Sequence, residues 1–579
     1  MGLLGILSLL QVGIIPGILI TAQLKSLSPH DRTLLVLPLS AIANYFLVIT
    51  LTLLGIYNQT ALIVILIAEV VALLLYAKNK LLQGRYAIDL SVLIDSEKKQ
   101  NNIIRWLVIL LLFFFITLTF KQIGTVFTYS DVVVGWNRFA IDWYHGIFPR
   151  NTYHYPQMLP ALYSLTYQFI GTIEVELFAK LVPAFFPLMM MLTFLRMASL
   201  YKQNSTLYLL VLLLFWFAFS RMMGSSSAFN GYAELPLAYF VMVAIYIFNL
   251  ARVVPDTAQT KSNLFFLVLC AVVIASAAIT KHSALYLAAI MPIAWYFHFR
   301  NKTTLRQIVI AYLLMLLIAG SWFIYKQVQI YLGADSSNLQ MLSEIVALPW
   351  YAKPWHGVAM IASKISWLWI PLFIAGLFTP LGRAHAVWIF IPFFLLWSIF
   401  ASYDFRNLIL SLPSLVFILA SGMIKLHEQF TKTSARARVY SGAAKSVLIL
   451  LLGVIFYMLS TPKIATDLIA LNTTAKRATG VPEFNDKLYA FFQVNPEPAK
   501  IASTYYGLSY LPGLKERDLP ASCNDLERLA DNHTVRYLIV EAHCPETVLS
   551  NLASKYKNRF EGVDLIFYEV VPVNLAKGS

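Results

Sequence analysis

One segment early in the chain combines ionisable and aromatic side chains in a pattern typical of a chemical site. Its ionisable residues are Asp131, Arg138, Asp142, His145 and His154. A carboxylate can accept a proton, a guanidinium can hold an anion, and imidazoles can hold a divalent metal. The aromatic residues around them, such as Tyr155, have flat faces that stack on sugar rings, but aromatic rings also anchor segments at a membrane surface. The segment therefore indicates either a carbohydrate site or an aromatic belt with incidental charges.

Three further groups of charged residues interrupt the sequence near the ends of long apolar runs. They are Glu234, the pair Lys281 and His282, and the pair Asp404 and Arg406. Ionisable groups at membrane depth are costly, so they usually form pairs or serve function. Two structural alternatives stay open, a snorkelling anchor for Lys281 and a local ion pair between Asp404 and Arg406.

The composition shows that the setting of these residues is a membrane. The chain has 579 residues, of which 59% are hydrophobic and 13% are charged, and its mean hydropathy is +0.68. Soluble proteins carry about a quarter charged residues, so a single soluble domain is excluded. The formal net charge is +15. Membrane proteins collect Lys and Arg in cytoplasmic loops, so this excess does not indicate nucleic-acid binding.

Apolar runs long enough to cross a bilayer as helices predict an α-helical polytopic membrane protein with about fourteen spans. The predicted spans are Leu3–Ile20, Leu34–Leu54, Ala61–Tyr76, Trp106–Phe120, Leu177–Leu200, Leu207–Met222, Leu235–Leu250, Leu264–Ile279, Ala284–Phe299, Ile308–Tyr325, Ile361–Phe378, Val387–Phe400, Leu408–Lys425 and Val447–Ser460. No secretory cleavage pattern precedes the first run, so Met1–Leu24 is interpreted as a retained first span.

Clusters of Lys and Arg predict the orientation of the spans. The most basic loops lie at 78–105 and 425–445, and both are expected on the cytoplasmic side. Alternate threading then places Met1 outside, provided that Met158–Ile170 does not cross the membrane. That short apolar run contains Pro160 and is expected to be an interfacial or re-entrant helix at the outer leaflet.

Three regions are then expected outside, namely 121–176, 327–360 and everything after residue 460. The predicted domains are a membrane domain at 1–460 and a soluble extracytoplasmic domain at 461–579. In the latter, strand patterns occur at Lys500–Ser503, Val535–Glu541 and Val563–Val571, and helical patterns at Asn524–Ala530 and Glu546–Phe560. These patterns predict a small α/β domain. An extracytoplasmic compartment is oxidising, so we expect a disulfide between Cys523 and Cys544, with two unrelated thiols as the alternative.

Several of these features together resemble the GT-C glycosyltransferases. The resemblance is carried by Asp131 at the start of the first outer loop, Tyr155-Pro156 with Pro160, Gly231-Tyr232-Ala233-Glu234, and Asp404-Phe405-Arg406-Asn407-Leu408 with Pro413. The chain is most similar to bacterial enzymes related to protein O-mannosyltransferases and to the aminoarabinose transferase that modifies lipid A. The likeness begins at about Trp106 and leaves the first three spans outside it.

The sequence departs from the family pattern at two points. Asp131 is followed by Val132, where the family often has an acidic pair, and this leaves metal dependence open. The Trp-Trp-Asp motif is absent from the sequence, which argues against an oligosaccharyltransferase of the N-glycosylation type.

The resemblance implies a membrane enzyme that transfers a hexose or pentose from a polyprenyl-phosphate donor, with inversion, on the outer side of the plasma (inner) membrane. Asp131 is then the expected general base, and Arg406 is expected to stabilise the departing phosphate, with Lys281 and His282 next. The other expected donor and sugar contacts are Arg138, Asp142, Tyr155, Glu234 and Asp404. The resemblance implies no specific cofactor, and a divalent metal at His145 and His154 is left open.

The expected partners are the bilayer, the lipid-phosphate sugar and a glycan, lipid or protein acceptor, without nucleic acid. Two alternatives are an O-antigen polymerase or ligase and a lipid or glycan transporter without catalysis. A polymerase or ligase usually has its large outer loop late in the chain, and a transporter places charges near mid-membrane. The early outer loop and the charges at one face therefore favour the transferase.

Overall fold

A computed structural model describes the protein at residues 1–24, 27–81, 126–127, 129, 131–149, 155–200, 205–224, 230–253, 259–299, 303–331, 349–400, 404–433, 482–495, 499–505, 507–508, 511, 513–514, 517–532, 534–542, 544–562 and 564–572. The described part is mainly helical up to residue 433, and a small sheet with flanking helices follows residue 481.

The helices before and within the first outer segment are α1 (Gly2–Gly13), α2 (Ile15–Gln23), α3 (Pro29–Leu53), α4 (Gln59–Leu81), a π-helix (Asp131–Asn137), α5 (Arg138–Tyr144) and α6 (Met158–Ile170). They are followed by α7 (Leu177–Leu200), α8 (Ser205–Met223), α9 (Glu234–Val253), α10 (Gln259–Thr280), a 3₁₀ turn (His282–Ala284), α11 (Leu285–Phe299), α12 (Leu305–Tyr331), α13 (Lys353–Ile365) and α14 (Trp369–Leu377). The last apolar helices are α15 (Pro380–His385), a π-helical turn (Ala386–Phe390), α16 (Ile391–Phe400), α17 (Phe405–Leu408), a 3₁₀ turn (Ile409–Ser411) and α18 (Leu412–Thr433).

In the described ranges, nine helical stretches are long and apolar enough to cross a membrane, which confirms a multi-spanning helical protein. The bounds of α7 are those predicted from the sequence, and α1 with α2 forms one stretch that is interrupted at Ile14. The predicted spans Trp106–Phe120 and Val447–Ser460 lie outside the described residues. The predicted total of fourteen spans therefore stays a prediction.

The predicted span Ile361–Phe378 is wrong as a continuous helix. Two helices, α13 and α14, replace it and are bent by 112° relative to each other. Ser366 between them has a φ of +86°, a value that a non-glycine residue does not adopt within a right-handed helix. Small residues then let α14 approach α18 closely, since a Cβ added at Gly422 would lie 2.0 Å from the Leu372 carbonyl oxygen.

The short helix α6 has the predicted bounds. Of its two predicted settings, its burial argues against the interfacial one, and the re-entrant one stays a prediction. An interfacial helix would expose one face to lipid headgroups, whereas all 13 residues of α6 are buried. Helices α1, α3, α5 and α7 pack around it. Pro160 lies in the first turn, where its missing N–H removes no helical hydrogen bond. The helix is therefore an internal element that other parts of the protein can contact from all sides.

Polar contacts show which helix ends share a side of the bundle. At one end, Arg196 Nε lies 3.1 Å from Asp31 Oδ1, and the Tyr246 hydroxyl donates to the same carboxylate. This cluster joins the start of α3 to the ends of α7 and α9. At the opposite end, Lys281 Nζ lies 2.7 Å from Glu234 Oε1 and joins the start of α9 to the end of α10. The two clusters lie at opposite ends of the bundle, as alternate threading of the helices requires. The outer location of the end with Glu234 and Lys281 stays a prediction.

The sheet after residue 481 has five strands in the order β2-β1-β3-β5-β4, with β2, β1 and β3 parallel and the other two pairings antiparallel. Its elements are α19 (Pro482–Val494), β1 (Ile501–Ser503), β2 (Asp518–Pro520), α20 (Cys523–Asp531), β3 (Tyr537–Glu541), α21 (Glu546–Lys555), β4 (Tyr556–Gly562) and β5 (Leu565–Pro572). Alternate residues of β3 face opposite sides, Ile539 toward the core under α19 and Leu538 toward that under α20 and α21. The predicted helix Glu546–Phe560 is too long, because its last residues form β4.

The orientation predicts that a cysteine introduced at Gln493 reacts with a membrane-impermeant maleimide added to intact cells. Gln493 is exposed at the end of α19, so the reagent can reach it if this region lies outside. A cysteine at Lys98, in a predicted cytoplasmic loop outside the described residues, is the control and should react only after the cells are opened. Labelling at Lys98 with protection at Gln493 would invert the topology.

In the structure Cys523 and Cys544 form a disulfide that links the start of α20 to the loop after β3, with their Cα atoms 5.6 Å apart. Intact protein isolated without reductant should therefore gain the mass of two hydrogens on reduction. Cys270 is buried in α10 and should remain a thiol throughout. Two alkylatable thiols at 523 and 544 before reduction would contradict the pairing.

Candidate active site

The candidate site forms where helix ends that are distant in sequence meet at one end of the bundle. Asp131 opens the π-helix, Glu234 opens α9, Lys281 follows α10, and Arg406 lies in the short helix α17. Charged residues stop apolar helices at the membrane boundary, because the hydrocarbon disfavours them. Side chains from four segments are thereby brought to one side of the bundle.

Arg406 lies between two carboxylates. Its Nε donates to Asp404 Oδ2 at 2.7 Å, and its Nη1 donates to Asp131 Oδ2. Asp404 also caps the helix start, since its Oδ1 accepts from the Arg406 backbone N–H at 2.9 Å. The side chains of Arg406, Asp131 and Asp404 are 40%, 35% and 31% exposed, so a ligand can reach all three. The local pair of Asp404 with Arg406 is therefore present, and Asp131 extends it into a triad.

Glu234 and Lys281 form a second and more buried pair. Their side chains are 5% and 13% exposed, and the N–O distance is 2.7 Å. Glu234 Oε2 is buried and accepts no hydrogen bond from the part of the chain that the structure describes. Lys281 is thus an ion-pair partner rather than a lipid anchor, while the neighbouring His282 is exposed. The unused oxygen of Glu234 is available to a hydroxyl of a bound ligand.

Tyrosines surround the two charged groups. Burial raises the pKa of Tyr155, and the negative charge of Asp131 is the second largest cause; together they bring it to about 12. The pKa of Tyr232 is raised by the same two causes. Both phenols therefore stay protonated at neutral pH and can donate hydrogen bonds. The rings of Tyr129 and Tyr232 meet edge to face with centroids 5.4 Å apart.

Tyr129 and Tyr232 were not predicted as site residues, although Tyr232 belongs to the Gly231-Tyr232-Ala233-Glu234 turn that carries the family resemblance. A repeated spacing in the sequence could have indicated them. Each tyrosine precedes an acidic site residue by two positions, Asp131 in one case and Glu234 in the other. A second residue of the turn, Gly231, has a φ of +88°, and a Cβ there would lie 2.5 Å from the Phe127 ring. Only glycine fits this close approach between the turn before Glu234 and the segment before Asp131.

Arg138 and Asp142 have partners in another direction. Arg138 is buried; its Nη1 lies 3.3 Å from Asp142 Oδ1, and its Nη2 donates to the Asp518 carbonyl oxygen at 3.1 Å. Gly513 N–H also donates to Glu174 Oε1 at 3.3 Å. These contacts fasten the outer segment to β2 and to the residues that precede it. The described ion pairs of Arg138 thus place it in this junction and not in the triad around Arg406.

The predicted metal residues are only partly described. His145 is exposed after α5, and its ring lies edge to face with Tyr144 at 5.1 Å. His154 lies outside the described residues. Among the residues that the structure describes, no group of three His, Cys, Asp or Glu side chains is arranged to hold a metal. A divalent metal at this site stays a prediction.

A buried polar network behind the site was also missed from the sequence. Glu176 accepts from the Phe127 backbone N–H at 2.8 Å and from Asn137 Nδ2 at 3.3 Å. Lys180 Nζ donates to the Val126 carbonyl oxygen at 2.6 Å. The segment that carries Asp131 is therefore held at both ends. The only sequence signal was the presence of Glu176 and Lys180 at the start of a long apolar helix, where charged residues are costly.

No family model matches the chain, and no curated protein matches its sequence. Solved structures do match. The aminoarabinose transferase ArnT from Cupriavidus metallidurans in the apo state is 13% identical over 81% of this chain and 99% of its own, with a TM-score of 0.51. ArnT bound to undecaprenyl phosphate is 14% identical over 80% and 98%, with a TM-score of 0.48.

The archaeal oligosaccharyltransferase AglB from Archaeoglobus fulgidus, in complex with an inhibitory peptide and a dolichol-phosphate, is also similar. It is 12% identical over 79% of this chain and 74% of its own, with a TM-score of 0.38. The similarity to apo ArnT extends over nearly the whole of that protein. It confirms the resemblance expected from the sequence at the level of the fold. The chain therefore has the fold of the GT-C glycosyltransferases, in the form seen in ArnT.

Proposed function

We propose that this chain is an integral-membrane glycosyltransferase that moves a sugar from a polyprenyl-phosphate donor to an acceptor hydroxyl on the outer side of the membrane. The observation that carries the proposal is an arginine held between two half-exposed carboxylates beside a buried Glu–Lys pair. Transfer of a glycosyl group from a phosphate ester needs a base and a cation at neighbouring positions. The fold shared with ArnT supports this class of enzyme.

In the proposed reaction, Asp131 accepts the proton of the acceptor hydroxyl as that oxygen attacks the anomeric carbon. The bond from this carbon to the phosphate oxygen breaks, and the phosphate leaves with the electron pair. Attack opposite to the leaving group inverts the sugar carbon. Arg406 stabilises the departing phosphate, because a guanidinium presents several N–H donors that match phosphate oxygens.

The contact between Asp131 and Arg406 is compatible with this mechanism. Arg406 contacts only Oδ2 of Asp131. A carboxylate has a second oxygen, so Oδ1 can accept a hydrogen bond from an acceptor hydroxyl while the ion pair persists. The donor phosphate can bind the remaining N–H groups of the guanidinium, while Asp404 continues to hold Nε.

The remaining site residues are suited to hold the sugar. Glu234 Oε2 can accept from a sugar hydroxyl, and its charge is balanced by Lys281. The protonated phenols of Tyr155 and Tyr232 can donate to sugar or phosphate oxygens, and their rings can stack on a sugar face. A panel of hexose and pentose donors distinguishes the two sugar classes.

Asp131→Asn is expected to lower the transfer rate by roughly 10²-fold or more while the protein stays folded and membrane-inserted. The amide keeps the size of the carboxylate but removes its basicity. Purified protein with a panel of radiolabelled polyprenyl-phosphate sugars measures the rate, starting with the donor that wild-type protein uses.

Two matched variants accompany this experiment. Asp142→Asn changes a carboxylate of the same outer segment that pairs with Arg138, and it should keep measurable turnover. Glu234→Gln tests the other acidic residue of the site. Near-full activity in Asp131→Asn, together with a dead Glu234→Gln, would move the base to Glu234. Transfer by none of the proteins, wild type included, from any donor would overturn the transferase proposal.

Arg406→Ala is expected to raise the KM for the lipid-phosphate donor by roughly 10- to 100-fold and to lower kcat as well. The variant removes a charge-assisted contact of about 1.5 to 3 kcal/mol to the phosphate. Initial rates at varied donor concentration measure both constants. Arg383→Ala is the control, because Arg383 is an exposed arginine in α15 whose Nε donates to the Leu377 carbonyl. An unchanged donor KM in Arg406→Ala would exclude the phosphate contact.

A further inference from the structure

Helix α6 contacts both segments that carry the acidic residues of the site. The Tyr163 hydroxyl donates to the Gly231 carbonyl oxygen at 2.9 Å, three residues before Glu234. The Tyr167 hydroxyl donates to Asn137 Oδ1, at the end of the π-helix that Asp131 opens. The two tyrosines are four residues apart and therefore lie on one face of the helix.

We propose that α6 is a positioning helix, and that the hydroxyls of Tyr163 and Tyr167 fix the distance between Asp131 and Glu234. This inference rests on the proposed function for its catalytic consequence. Neither tyrosine touches the triad or the Glu–Lys pair through its described hydrogen bonds, so both act through the backbone segments they hold.

The helix is suited to this role because it is rigidly enclosed. All 13 of its residues are buried, and Tyr163 and Tyr167 have no exposed surface. A buried helix that packs on six others cannot shift without disturbing them, since protein interiors are close-packed. Two residues four positions apart on such a helix are separated by about 6 Å along its axis, so their side chains provide two fixed points about one turn apart.

The two segments that accept these hydrogen bonds, 131–137 and 230–234, are also fixed by contacts of their own. Asn137 donates through Nδ2 to Glu176, whose second oxygen accepts from the Phe127 N–H, so the Asp131 segment is tied at both ends. Gly231 packs against the Phe127 ring, and that ring lies 5.4 Å from the Tyr163 ring. The two acidic segments and α6 thus form one interlocked unit.

Catalytic groups lose much of their effect when they are displaced by about 1 Å, which can cost 10²-fold in rate. Loss of either hydroxyl leaves a buried acceptor unpaired, and its segment is expected to move in order to regain a partner. Tyr163→Phe should release the turn at 230–234, and Tyr167→Phe should release the π-helix at 131–137. The positions of the two carboxylates would then change relative to each other.

The test compares Tyr163→Phe and Tyr167→Phe with the matched control Tyr57→Phe. Tyr57 is buried and shares a hydrogen bond of 2.8 Å with Ser164, which lies between the two tyrosines on α6. Ser164 also donates to the Ala161 carbonyl, so it keeps a partner in the control variant. Each of the three substitutions removes one buried hydroxyl that forms a hydrogen bond to or from α6. Only the hydrogen bonds of Tyr163 and Tyr167 lead to a segment that carries an acidic site residue.

The first measurement is hydrogen–deuterium exchange, which does not depend on activity. We expect faster exchange at 230–234 in Tyr163→Phe alone, faster exchange at 131–137 in Tyr167→Phe alone, and neither change in Tyr57→Phe. Unchanged exchange at both segments in both test variants would overturn the proposal, whatever the activity of the protein.

The second measurement is steady-state transfer with the donor used by the wild type. We expect kcat to fall roughly 10-fold in each test variant with little change in donor KM, and to stay within twofold in Tyr57→Phe. A parallel loss in all three variants, together with lower melting temperatures, would show that α6 only stabilises the fold and would overturn the proposal. A wild type that transfers no sugar would instead overturn the proposed function, and the exchange data would still decide the role of α6.

Discussion

The guanidinium of Arg406 joins two parts of the chain that are 275 positions apart, and the geometry of the candidate site depends on this contact. At the edge of an apolar bundle the effective dielectric constant is lower than in water, so an ion pair there is stronger than on an exposed surface. Asp404 orients the guanidinium from within its own helix start. The arginine therefore keeps its direction when a further anion binds to it.

The groups that would react and the groups that support them differ in exposure. Asp131, Asp404 and Arg406 are between 31% and 40% exposed, so their contacts can exchange with a ligand. The supporting residues Asn137, Tyr163 and Tyr167 are fully or almost fully buried. Buried hydrogen bonds are expensive to break, because no water replaces the lost partner. The site thus combines exchangeable charges with a rigid frame, and Arg138 extends this frame to the sheet.

The positions of the helices along the chain could be predicted from the sequence, whereas the packing of one helix beside another could not. Apolar length determines where a span begins and ends, which is why α7 has the predicted bounds. Neither composition nor the distribution of Lys and Arg indicates which helix lies beside which, so the contact of Arg406 with Asp131 was not predictable. The bend at Ser366 has no sequence signature, since serine does not favour a positive φ. The predicted helix Glu546–Phe560 runs into the first five residues of the edge strand β4, because most residues of this strand are exposed and polar, as is common at sheet edges.

The charges of the site give a physical reason why the base and the phosphate can lie on the same arginine. Three carboxylates, Asp131, Asp404 and Glu234, face two cations, Arg406 and Lys281, so the groups together carry a formal charge of −1. An anionic donor phosphate therefore meets repulsion from Asp131 in the ground state. In the proposed reaction Asp131 becomes neutral when it takes the acceptor proton, at the moment when the leaving phosphate gains negative charge. The repulsion is relieved in the transition state and not before, which is the condition under which an electrostatic interaction accelerates a reaction.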